Sequence, residues 1–171
     1  MQAREKTIRI AACFGLLVCF LVLTKYILFK KSPRYYKHYF AHEYSNYSVK
    51  KGWEQANFKL FSTIRLFSSE KVRAEYSYKN IGGNIIGFLP VGILLPLVFP
   101  AIKNFWRLTG LVFCISLFFE MIQLFTGVGV FDVDDLLLNT MGGMAGYVLL
   151  LIAKRLTETR RKPKTEAIGN S

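Results

Sequence analysis

Four long runs nearly free of charge constrain this 171-residue chain more than anything else in it. Ile10 to Leu23, Ile81 to Ala101 and Leu136 to Ala153 carry no charge, and Leu108 to Phe131 carries only Glu120. A helix needs about 20 mostly apolar residues to cross ~30 Å of hydrocarbon. Helices packed inside a water-soluble domain would show a charged face at helical spacing, and these runs show none. They predict an all-α, polytopic membrane protein, a bundle of four transmembrane helices. The acid in the third run does not prevent insertion. A central carboxylate costs ~2.5–3.5 kcal/mol on insertion scales. Against it, each of the many Leu, Ile, Val and Phe residues from Leu108 to Phe125 contributes roughly 0.3–0.6 kcal/mol. The net charge of +12 beside an apolar fraction of 52% excludes a disordered basic tail. It also disfavours a soluble nucleic-acid binder, so no nucleic-acid partner is expected.

The runs divide the chain into four parts. An N-terminal flank and first helix span 1–29, an aromatic and basic extracytoplasmic loop 30–80, a core with helices two to four 81–153, and a basic tail 154–171. Arg4, Lys6 and Arg9 before the first run imitate a secretory signal, but Lys25 to Lys31 offers no small-residue cleavage pattern. The segment therefore reads as a retained anchor. Cys13, Cys19 and Cys114 fall inside apolar runs, with the spacing of neither a disulfide framework nor a zinc site. Short Lys- and Arg-bearing flanks (Arg4 to Arg9, Lys103 with Arg107, and the tail from Lys154) place both termini in the cytoplasm. The tail is expected to be disordered there.

The long outer loop interleaves Tyr35, Tyr36, Tyr39, Phe40, Tyr44, Tyr47, Trp53, Phe58, Phe61 and Phe67 with Lys and Arg. That mixture suits the lipid headgroup layer as well as a small subdomain capping the bundle, and the sequence leaves both open. His38, His42 and Glu43 have helical spacing for a metal, yet lack a further nearby ligand.

Polar residues inside the runs are more informative, because each one in lipid needs a partner or a task. Asn84 lies in the second run; Glu120 and Gln123, three apart, share a face of the third. Asp132, Asp135 and Asn139 stand at spacings of a single stripe entering the fourth. Glu120 precedes Thr126 by six residues, about 9 Å below the outer end at 1.5 Å per residue. All six groups therefore fall near one height in the outer leaflet, which predicts a functional polar cluster. Gly83 with Gly87, and Gly142 and Gly143 with Gly146, supply small-residue spacings that let helices two and four approach beside it.

The string from Asn84 to Pro96, the Glu120-x-x-Gln123 pair and FDVDDLLLNTMGGMAGY from Phe131 to Tyr147 resemble the VanZ-like family of bacterial membrane proteins. Upstream, NFKLFSTIR is similar to that family's Asn-Leu-x-Pro-Phe-x-Thr-Ile stretch, with Leu60 where proline is usual, and Val128 stands near where many members carry a basic residue. The resemblance implies a multi-pass protein of the bacterial plasma membrane. The family's founding member is associated with resistance to teicoplanin, a lipoglycopeptide that acts on lipid-linked cell-wall precursors. Two functions follow as expectations. In one, the acidic cluster binds a membrane lipid headgroup, a lipid-linked precursor or a lipoglycopeptide. In the other, an intramembrane enzyme uses Glu120 as base, with Glu120, Asp132 and Asp135 holding a divalent cation such as Mg²⁺ or Mn²⁺. No established catalytic motif favours the second.

Overall fold

In the computed structural model, which describes residues 2–67 and 74–161, the regular elements are all helical. They are α1 (Gln2–Ile27), α2 (Pro33–His38), a π-helical turn (Tyr39–Glu43), α3 (Asn46–Gln55), α4 (Ser62–Phe67), α5 (Ala74–Val98), α6 (Phe105–Thr126) and α7 (Val133–Arg161). Among the described residues four of these, α1, α5, α6 and α7, are long and apolar enough to cross a membrane.

Some helix ends differ from the limits of the apolar runs. The third run continues to Phe131, but α6 stops at Thr126 because Gly127 takes the left-handed conformation, φ 64°, and ends the helix. A side chain at Gly127 would also strike the Tyr39 hydroxyl, 2.6 Å from an ideal Cβ. Conversely, α7 runs past the apolar block to Arg161, so the start of the expected disordered tail is helical. Residues 162–171 of that tail, and 68–73 of the outer loop, lie outside the described residues.

The centre of the bundle is the crossing of α5 and α7, where backbone meets backbone. An added Cβ at Gly92 would collide with the Gly143 carbonyl, one at Gly142 with the Ile85 carbonyl, and one at Gly146 with the Leu89 carbonyl. Glycine is required there because no side chain fits between the helices. A Cβ added at Gly87 would instead lie 3.3 Å from the Leu23 side chain of α1, and one at Gly83 would meet nothing within 4 Å. Around this crossing, α6 contributes Leu108, Val112, Ser116, Phe119, Glu120, Gln123 and Leu124 as one buried stripe. Helix α1 is peripheral. It buries Ala12, Leu16 and Leu23 and leaves Phe14, Leu17, Leu21 and Val22 exposed. Just 22% of its apolar span is covered by protein, against 44% for α7. Such bare apolar surface is at home against acyl chains, not water.

The segment between α1 and α5 folds over the end of the bundle. Tyr36 donates its hydroxyl to the Leu28 carbonyl at 3.0 Å, Tyr39 to Thr126 at 3.0 Å and Tyr44 to Phe125 at 3.3 Å. Three tyrosines thus satisfy carbonyls that helix ends leave without intrahelical partners. Trp53 and Phe58 stack on one another, and Phe58 lies 5.1 Å from Phe131 between centroids. Asn57 pairs as a parallel bridge with Asp132, its N–H donating to the Phe131 carbonyl at 2.8 Å.

Candidate functional site

Where α1 ends, α5 begins, α6 ends and α7 begins, the four helices enclose a cavity of about 690 Å³. Asn84, Glu120, Gln123, Asp135 and Asn139 line it together with apolar Leu23, Ile27 and Phe88. Five of the six polar residues expected from the sequence meet here. The cavity opens between α1 and α5, where its rim residues Tyr26 and Ile86 are 74% and 69% exposed. Below it, Leu23 against Gly87 closes α1 onto α5.

Each polar group is held by a hydrogen bond. The Asp132 N–H donates to Glu120 Oε2 at 2.9 Å, joining α6 to the first turn of α7. Gln123 Nε2 donates to the Ile27 carbonyl at 3.1 Å, and Asn139 Nδ2 to Ser116 Oγ at 2.9 Å. Asn84 Nδ2 donates to Asp135 Oδ1 at 2.5 Å. Glu120, Gln123 and Asn139 are 1%, 3% and 2% exposed. Among the described residues two buried oxygens nevertheless have no protein partner, Gln123 Oε1 and Asn139 Oδ1. An unmet buried acceptor costs about 1–3 kcal/mol, so a hydrogen-bond donor reaching either oxygen would be stabilised there.

Asp132 does not join this group. It precedes the first residue of α7, and its side chain accepts the Asp134 N–H at 2.8 Å, the pattern of a helix N-cap. A capping residue has left the helical conformation, so the expected stripe through Asp135 and Asn139 does not extend to it. Its carboxylate turns instead to Asn57 Nδ2, at 2.9 Å, and to the Thr63 hydroxyl. Asp134, fully buried, accepts the N–H groups of Phe61, Thr63 and Ile64 and so anchors the start of α4. The metal set of Glu120, Asp132 and Asp135 is thereby divided. Among the described residues no three His, Cys, Asp or Glu side chains gather as a metal site. His38 pairs with Glu43 at 3.0 Å, with the His42 ring 4.9 Å from its own, on an exposed surface.

The sequence reading missed Lys30, which stands at the cavity's rim just beyond α1. No periodic pattern marks it, because it reaches the cavity from a loop. It also missed Asn57 and Thr63, although both sit in the NFKLFSTIR string.

The VanZ/LLP1 family model matches residues 14–154 of the chain. Protein VanZ of Enterococcus faecium is 36% identical over 73 residues, which cover 43% of this chain and 45% of that protein. The chain thus matches less than half the length of that curated relative. No solved structure matches it.

Proposed function

The chain belongs to the VanZ/LLP1 family, and from that premise we propose a multi-pass protein of the bacterial plasma membrane whose cavity binds the polar head of an amphiphile in the outer leaflet. The candidates are a membrane lipid, a lipid-linked envelope precursor, or a lipoglycopeptide such as teicoplanin, with a contribution to resistance of the teicoplanin type. In this reading the basic flanks at Arg4 to Arg9, Lys103 with Arg107, and Lys154 with Arg155 lie in the cytoplasm, and the cap over the bundle lies outside. The exposed Phe40, Trp53, Phe58, Leu60 and Phe61 of that cap sit at headgroup depth.

One observation carries the proposal. A cavity at the capped end of the bundle, with exposed Tyr26 and Ile86 at its side, is lined by Gln123 and Asn139, whose buried amide oxygens have no partner among the described residues. A sideways opening lets a head enter while its acyl chain stays in lipid. The metal-assisted enzyme has less support, because Asp132 is engaged by Asn57 and Thr63.

The test is expression in a teicoplanin-susceptible host of the unaltered chain and of the Glu120→Ala, Asp135→Ala double variant, with membrane levels checked by immunoblot. The unaltered chain is expected to raise the inhibitory concentration at least about fourfold. The variant should lose this while remaining inserted. Equal protection by both would overturn a role for the cavity.

A further inference from the structure

The hydrogen-bonding atoms of the cavity are unbalanced. Three amides line it, and each amide nitrogen has a protein partner: Asn84 bonds Asp135 and Asn80, Gln123 the Ile27 carbonyl, and Asn139 Ser116. A carbonyl can only accept, which fixes the orientation of Gln123. What the lining residues leave without a partner among the described residues is oxygen, the buried Gln123 Oε1 and Asn139 Oδ1, and beside them stand the carboxylates of Glu120 and Asp135. The cation of Lys30 lines the exposed rim.

We infer that this cavity takes the primary ammonium of a zwitterionic amphiphile on its floor, with a neighbouring phosphate at Lys30; this rests on the binding role proposed above. A primary ammonium brings three donors and no acceptor, the complement of an acceptor floor. Its hydrogen bonds to carboxylates are charge-assisted and roughly twice as strong as neutral ones. A quaternary ammonium carries the same charge but no N–H, and leaves both amide oxygens unmet. Sugar or glycerol hydroxyls bring lone pairs along with their hydrogens and set acceptor against acceptor. A phosphate on the floor would face two carboxylates, whereas at the rim it faces Lys30. The acyl chain leaves between Tyr26 and Ile86, both exposed on the bundle's outer surface.

The test uses the full chain purified in an uncharged detergent, with three lysolipids of one acyl chain and ethanolamine, choline or glycerol heads, and teicoplanin as a fourth probe. Calorimetric titration is expected to give the ethanolamine lipid a Kd at least about tenfold below the choline and glycerol lipids. Glu120→Gln with Asp135→Asn should erase that preference, and Lys30→Gln should weaken all three lipids, since each carries the phosphate. The comparison among heads is made on the unaltered protein, so it stands even if a variant fails to fold. Equal binding of the three lipids, preference for the glycerol head, or binding of teicoplanin alone overturns the ammonium assignment and leaves the binding role intact. No saturable binding by any of the four overturns both.

Discussion

Three aspartates within four positions have three different surroundings. Asp132 caps α7 and holds Asn57 and Thr63; Asp134 receives three N–H groups at the start of α4; Asp135 faces the cavity with Asn84. The local conformation separates them, since the cap residue is out of helical phase and successive helical residues point about 100° apart. Asp134→Ala is therefore expected to cost roughly 3 kcal/mol or more, because several bonds to a buried acceptor vanish and the N–H groups lose their partner. Thermal unfolding in detergent checks this, and an unchanged midpoint would contradict it. At this scale the sequence was partly legible. Residue types and helical spacing gathered Glu120, Gln123, Asp135 and Asn139. They misplaced Asp132 because spacing arguments assume that a helix has already begun, and they passed over Lys30 because a loop has no period.

The helices themselves were written more plainly, as runs of apolar residues, than the way they pack. Small-residue spacing pointed to Gly83 and Gly87 on α5, yet the close approach uses Gly92 and the carbonyls of Ile85 and Leu89 against Gly142, Gly143 and Gly146. A spacing motif names a face of a helix but not the depth at which two helices cross. The crossing here lies deeper than Gly83, which is left lining the cavity. Gly146→Leu and Gly92→Ala must therefore push α5 from α7, at a cost of about 1–3 kcal/mol or more from overpacking. Gly83→Ala should stay within about 1 kcal/mol of the unaltered chain, the scale of helix propensity alone. Unfolding midpoints of the three variants, compared in one detergent, test the contrast. A Gly83 variant as damaged as the Gly146 one would refute the crossing described.

For the whole molecule, the fold brings the cap, the cavity and one end of each of four helices to one place. The tyrosines of the cap close the ends of α1 and α6, Asp132 and Asp134 tie the cap to α7, and Glu120 ties α7 to α6. That joining of distant segments was not legible in spacing. It depends on backbone N–H and carbonyl groups, which every residue has. The central claim is that groups from three helices share a cavity reached from outside the cell. Its most direct test starts from a chain with Cys13, Cys19 and Cys114 replaced by alanine, into which Asn84→Cys, Glu120→Cys or Asn139→Cys is placed singly. Intact cells are then treated with a small membrane-impermeant thiol reagent. All three positions are expected to react from the external side and to be shielded by an added amphiphile that binds. Reaction only from the cytoplasmic side, or only with reagents dissolved in the lipid, would contradict the account.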